Sequence, residues 1–104
     1  MTVSKEEGNA LLDFYEELLT DKQKDVLNLY FKEDLSLSEI AEDLAISKSA
    51  VSDLLNRSIH QLQNYEAKLS LVENYRKRLK IYHRLEQMEN PEVTELVQKL
   101  INLE

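Results

Sequence analysis

A chain of 104 residues with no cysteine, one glycine and one proline has room for one modest core and excludes disulfides and thiolate metal sites. Its net charge of −7 is the wrong overall sign for a nucleic-acid binder. No apolar run approaches membrane-spanning length, and the start Met1-Thr2-Val3-Ser4-Lys5-Glu6-Glu7 is too polar for a signal peptide. Leu, Glu, Lys and Gln dominate and turn residues are scarce, so the expectation is an all-α, soluble, cytoplasmic protein with no membrane partner.

Helix starts are read from Ser or Thr followed three residues later by Glu or Gln. Ser4–Glu7, Thr20–Gln23, Ser36–Glu39 and Ser70–Glu73 fit, Ser47 is a further N-cap, and Asn90-Pro91 opens a last helix. The predicted helices span 5–18, 21–32, 37–44, 48–68, 71–89 and 91–103. Apolar faces follow at helical spacing, as in Leu11, Leu12, Phe14, Tyr15 and Leu18, then Val51, Leu54, Leu55, Ile59 and Leu62. No glycine or proline separates the fourth helix from the fifth, so one long helix is the alternative there. Ser70–Glu73 and a phase change in the apolar stripe near Lys68–Leu71 argue for a break. The organisation this gives is a helix-turn-helix domain over 1–68 and a C-terminal helical extension over 69–104. That extension packs on the domain or on a partner subunit.

Leu37 to Leu54 carries the motif. Ala41 is the small residue that a close helix crossing needs. Ile40 and Leu44 flank it on the same buried face, Ile46 is expected to plug the space beneath the turn, and Val51 and Leu54 return from the second helix to close the core. The turn residue is Ala45 where a left-handed backbone favours glycine, a cost of about 1 kcal/mol. The second helix would then present Ser47, Lys48, Ser49, Ser52, Asp53 and Asn56 to a major groove. Ser, Asn and Lys can read base edges or hold phosphates, with Arg57 adding charge. Asp53 would repel phosphates.

Charge is unevenly placed: residues 1–46 hold 12 acids and 4 lysines, whereas residues 68–84 hold six basic residues against Glu73 alone. Arg76, Lys80 and Arg84 repeat every fourth residue, with Lys77 beside them, and could follow a phosphate backbone. The ordinary reading is a solvated face, or one paired with the acidic half of the same or a neighbouring chain. Val72, Tyr75, Leu79, Tyr82, Leu96, Leu100 and Ile101 need cover, which points to self-association through the C-terminal helices. The alternative is a monomer whose last helix folds back.

Nothing supports catalysis, a cofactor or a metal. His60 and His83 lie on separate helices without zinc spacing. Neighbouring acids such as Glu16-Glu17 and Glu42-Asp43 point to different azimuths, and no serine has a base arranged beside it.

Leu19-Thr20-Asp21-Lys22-Gln23-Lys24-Asp25-Val26-Leu27-Asn28-Leu29-Tyr30, followed by Leu35-Ser36-Leu37-Ser38-Glu39-Ile40-Ala41, resembles the C-terminal DNA-binding region of sigma factors. It departs where Ser52, Asp53 and Leu54 stand, a stretch that is usually more basic. The fold implied is a sigma-factor-like helix-turn-helix bundle with additional long C-terminal helices. The acidic start, the Asn64-Tyr65-Glu66-Ala67-Lys68-Leu69 junction and the helical tail together resemble the YlxM family of small Gram-positive helix-turn-helix proteins. That resemblance implies a regulatory or accessory role in the signal recognition particle pathway. Duplex DNA or the particle's RNA, and the pathway's GTPases, are then the expected partners. The alternative function is a helical protein-interaction module that keeps the sigma-like fold as a scaffold.

Overall fold

The computed structural model describes residues 3–104, and Met1 and Thr2 of the polar start lie outside them. Helix α1 (Lys5–Tyr15) begins where the Ser4 hydroxyl accepts the Glu7 N–H at 3.1 Å. It tightens into a 3₁₀ turn over Glu16–Leu18. Helix α2 (Asp21–Leu27) opens on a reciprocal box: Thr20 Oγ1 accepts from Gln23 N–H, and Gln23 Oε1 accepts from Thr20 N–H. It widens into a π turn over Asn28–Lys32, where Glu33 N–H reaches Asn28 O at 3.0 Å. The Asn28 side-chain amide donates to Lys24 O and to Glu16 Oε1, so a side chain competes for the carbonyls of the regular ladder.

Helix α3 (Leu37–Leu44) has the same reciprocal box from Ser36 and Glu39. Helices α4 (Lys48–Leu69), α5 (Leu71–Glu86) and α6 (Pro91–Asn102) follow. Ser47 caps α4 through Ala50 N–H, and Asn90 caps α6 through Glu92 and Val93 N–H. The run from 48 is broken, as the apolar phase suggested, but by a different device. Ser70 stands in the left-handed region (φ 53°, ψ 32°) with its N–H on Glu66 O, not in the extended backbone of an N-cap. Helix α5 ends at Glu86, short of the predicted 89, because the chain turns through a left-handed Glu89. Asp34, Ala45, Ser70 and Glu89 are all left-handed, and none is glycine.

The chain divides into two compact units, Met1–Ser70 and Leu71–Glu104. In the first, Leu12, Tyr15, Val26, Leu27, Ile40, Val51, Leu55 and Leu62 are fully buried. Gly8 allows α1 to lie against Phe31, whose ring occupies the space a Cβ would need. Tyr15 joins α1 to the far end of α4: its hydroxyl donates to Glu66 at 2.5 Å and its ring stacks on Tyr65. Ser58, buried among these side chains, donates its hydroxyl to Leu54 O.

In the second unit α6 packs back on α5, and Val72, Tyr82 and Val97 are buried. Glu104 accepts from Arg78 and from the Tyr82 hydroxyl. Burial, then the Glu104 carboxylate, pushes the Tyr82 phenol above its ordinary range. Leu79, Leu96 and Leu100 remain exposed. Among the described residues no helix is long and apolar enough to cross a membrane.

Candidate nucleic-acid interface

The corner between α3 and α4 is built by backbone geometry. Ala45 takes the left-handed conformation (φ 56°, ψ 43°) that its place in the sequence predicts. Its N–H closes on Glu42 O, and the next N–H, of Ile46, closes on Ala41 O at 3.1 Å. These two bonds are the Schellman arrangement that ends a helix while satisfying its last carbonyls. The corner is closed from within by Ile40 and Val51, both fully buried, whereas Leu44 and Leu54 are only half-buried and line a groove beside it. Ile46 does not plug the corner. Ile46 is 38% exposed, because the left-handed turn carries it outward once Ile40 and Val51 fill the interior.

One side of the N-terminal half of α4 is left open to solvent. Ser47, Lys48, Ser49, Asn56 and Arg57 are exposed and Ser52 is half-buried. At about 100° per residue, Ser49, Ser52 and Asn56 share one arc of roughly 60°. Ala50, Leu54 and Arg57 share another, and Asp53 lies between the two. The Ser47 oxygen is engaged as the cap acceptor, which leaves its O–H to donate outward. Arg57 is not a free cation: its guanidinium lies 2.5 Å from Asp53. Among the described residues Lys48 forms no ion pair.

The predicted basic row lies in the other unit. Arg76, Lys77, Lys80 and Arg84 are all exposed on α5. Lys77 is paired with Glu73 at 3.2 Å, while Lys80 and Arg84 have no ion pair among the described residues. Arg78, between them in sequence, is turned to Glu104 and to the Tyr75 ring. The predicted contacts therefore form two groups, one on α4 and one on α5.

A feature that the sequence reading missed adjoins the first group. A groove of about 460 Å³ runs beside the turn, floored by Leu44, Ile46, Ala50 and Leu54 and rimmed by Asp25 and Asp53. It continues into a depression that shares Leu44 and Asp25 and adds Leu29, Glu33 and Asp43. The available signal was Ala50, Leu54 and Arg57 on one side of a helix that the motif treats as facing DNA. Further along α3, Glu39 is held below the ordinary glutamate range by the Ser36 backbone N–H and then by its hydroxyl.

Residues 3–102 match the family described as "Putative helix-turn-helix protein, YlxM / p13 like" (UPF0122). The chain is 39% identical over 101 residues to the UPF0122 protein YlxM of Bacillus subtilis, covering 92% of each. It is 41% identical over 99 residues to a UPF0122 protein of Pediococcus pentosaceus, covering 92% of this chain and 88% of that one. A UPF0122 protein of Listeria innocua is 44% identical over 78 residues, 75% of this chain and 71% of its own.

Proposed function

The chain belongs to the YlxM / p13-like helix-turn-helix family (UPF0122), and from that premise we propose that it is a non-enzymatic, nucleic-acid-binding regulatory protein of the cytoplasm. The observation that carries this reading is the left-handed Ala45 corner, which leaves the start of α4 exposed with Ser49, Ser52 and Asn56 on one side. In a helix-turn-helix that surface enters the major groove. Ser47, Lys48, Ser49, Ser52, Asn56 and Arg57 are the contacts to duplex DNA. The free N–H groups and positive dipole end of α4 add to the attraction for phosphate. Arg76, Lys77, Lys80 and Arg84 form a second, phosphate-binding row suited to RNA.

Within this reading the protein is an accessory factor of the signal recognition particle pathway, with the particle's RNA as ligand and its GTPases as protein partners. It works as a homo-oligomer joined through the C-terminal unit, where Leu79, Leu96 and Leu100 are exposed. The pair Asp53–Arg57 favours a second reading. With its arginine neutralised in place, the helix-turn-helix is a scaffold for protein contacts.

A fluorescence anisotropy titration at two salt concentrations separates these. It compares signal recognition particle RNA with a random DNA duplex of equal charge. Tighter, salt-sensitive binding to the RNA supports the accessory role. Preference for the duplex supports a DNA-directed regulator. No binding to either at near-physiological salt leaves the scaffold reading, because phosphate contacts cannot be absent from a nucleic-acid binder.

A further inference from the structure

We propose that the groove beside the Ala45 turn is the seat for the cationic face of α5 from a second copy of the chain. The inference rests on the reading that the C-terminal unit mediates self-association, but places the contact on the face of α5 that carries Ile81, about 160° around the helix from Leu79.

The groove and the helix face are complementary in two respects. The groove has an apolar floor of Leu44, Ile46, Ala50 and Leu54 that runs into an acidic end at Asp25, Glu33 and Asp43. None of those three carboxylates has an ion-pair partner among the described residues. This differs from Asp13 and Asp34, which hold Lys32 and Lys5. The groove's own cations are Lys22 and Arg57, and Arg57 is already tied to Asp53. The surface therefore offers solvent-accessible apolar area beside negative charge that has no ion-pair partner among the described residues.

On α5, Lys77, Lys80, Ile81 and Arg84 fall within about 100° of arc. Ile81 is 57% exposed among these cations, and neither the phosphate reading nor the hairpin core gives it a role. A phosphate backbone has no use for a β-branched apolar side chain in the middle of its contacts. An acidic groove with an apolar floor does, since the helix-in-groove mode takes an apolar anchor flanked by complementary charge. Among the described residues Lys80 and Arg84 form no ion pair, and they supply that charge. Reciprocal exchange of α5 between two copies closes the contact into a dimer. Nucleic acid and the groove would compete for the same lysine and arginine.

Sedimentation velocity of the full chain over a range of concentrations tests this, with thermal melting as the control for folding. The wild type self-associates, and Ile81→Asp or the double change Lys80→Glu, Arg84→Glu weakens association by about tenfold or more. Asp25→Lys with Asp43→Lys does the same. An equimolar mixture of the two charge-reversed variants recovers a complex, because each now carries the charge its partner lacks. Association that survives both Ile81→Asp and the Lys80, Arg84 reversal but is lost in Leu96→Asp overturns the groove while keeping the C-terminal self-association. A monomer at every concentration overturns both. Weakening by charge reversal without recovery in the mixture also counts against the groove.

Discussion

Asp53 holds the Arg57 guanidinium at 2.5 Å across one turn of α4. The pair places a neutralising carboxylate between the two arcs of the helix, one lined by Ser49, Ser52 and Asn56 and the other by the groove. Both partners are exposed, so the pair is worth little to stability. Its consequence is for binding, because it cancels one of the few positive charges near the proposed DNA face. Asp53→Asn should leave the melting temperature nearly unchanged and tighten duplex binding. The slope of log affinity against log salt should steepen by about one contact. An unchanged slope would remove Arg57 from the interface.

Ala45 carries a left-handed backbone at the corner of the motif. A β-carbon costs about 1–2 kcal/mol in that region, and glycine gives back part of this through a more flexible unfolded chain. Ala45→Gly should therefore stabilise the first unit by about 1 kcal/mol, read as a higher denaturant midpoint with an unchanged slope. Nucleic-acid affinity should not move, since residue 45 presents no functional group.

Gly8 is the opposite case, a glycine inside a helix. Its hydrogen makes room for the Phe31 ring, and alanine there would have to push α1 away from the π turn. The gain in helix propensity is about 1 kcal/mol at most, against an overpacking cost of roughly 1–3 kcal/mol. Gly8→Ala should lower stability on balance. A Phe31→Leu background should relieve much of the loss, and a double-mutant cycle measures that coupling.

The Ser36 box sets a pH dependence with a defined sign. Its hydrogen bonds stabilise the charged form of Glu39 and hold the carboxyl below the usual value of 4.5. The box therefore stabilises the fold above the ordinary glutamate range. That contribution is lost as pH falls through the depressed value. A carbon-detected NMR titration of the Glu39 carboxyl should give the lowered midpoint. Ser36→Ala should move it only part of the way back, because the backbone N–H still donates.

Local chemistry made most of the helix boundaries legible. Thr20 with Gln23 and Ser36 with Glu39 each close a box whose two bonds lie within four residues, so no distant information is needed to find them. The left-handed Ala45 was legible for the same reason. Ser70 shows where this stops. The same Ser-x-x-Glu pattern appears, yet the residue ends one helix in a left-handed turn, because the neighbouring helix abuts without a loop. The outward turn of Ile46 depends on how fully Ile40 and Val51 already occupy the corner, and a spacing rule carries no volumes. The groove is the least legible feature, since α2, α3, the turn and α4 each contribute to its wall. In contrast, the Asp53–Arg57 pair was present in the sequence as an i, i+4 spacing.

The absence of glycine from the left-handed corners has a consequence for how much mutational load the chain can carry. Asp34 is a tolerated residue there and its carboxylate holds Lys5, but the side chains of Ala45, Ser70 and Glu89 make no hydrogen bond or ion pair among the described residues. Relieving each would add roughly 1 kcal/mol to the compact unit that holds it. Against a typical domain stability of about 5–15 kcal/mol, each corner is a sizeable reserve. Single substitutions that cost a kilocalorie elsewhere, including those that would re-tune the α4 surface for a new partner, can be offset at these corners without touching any binding face.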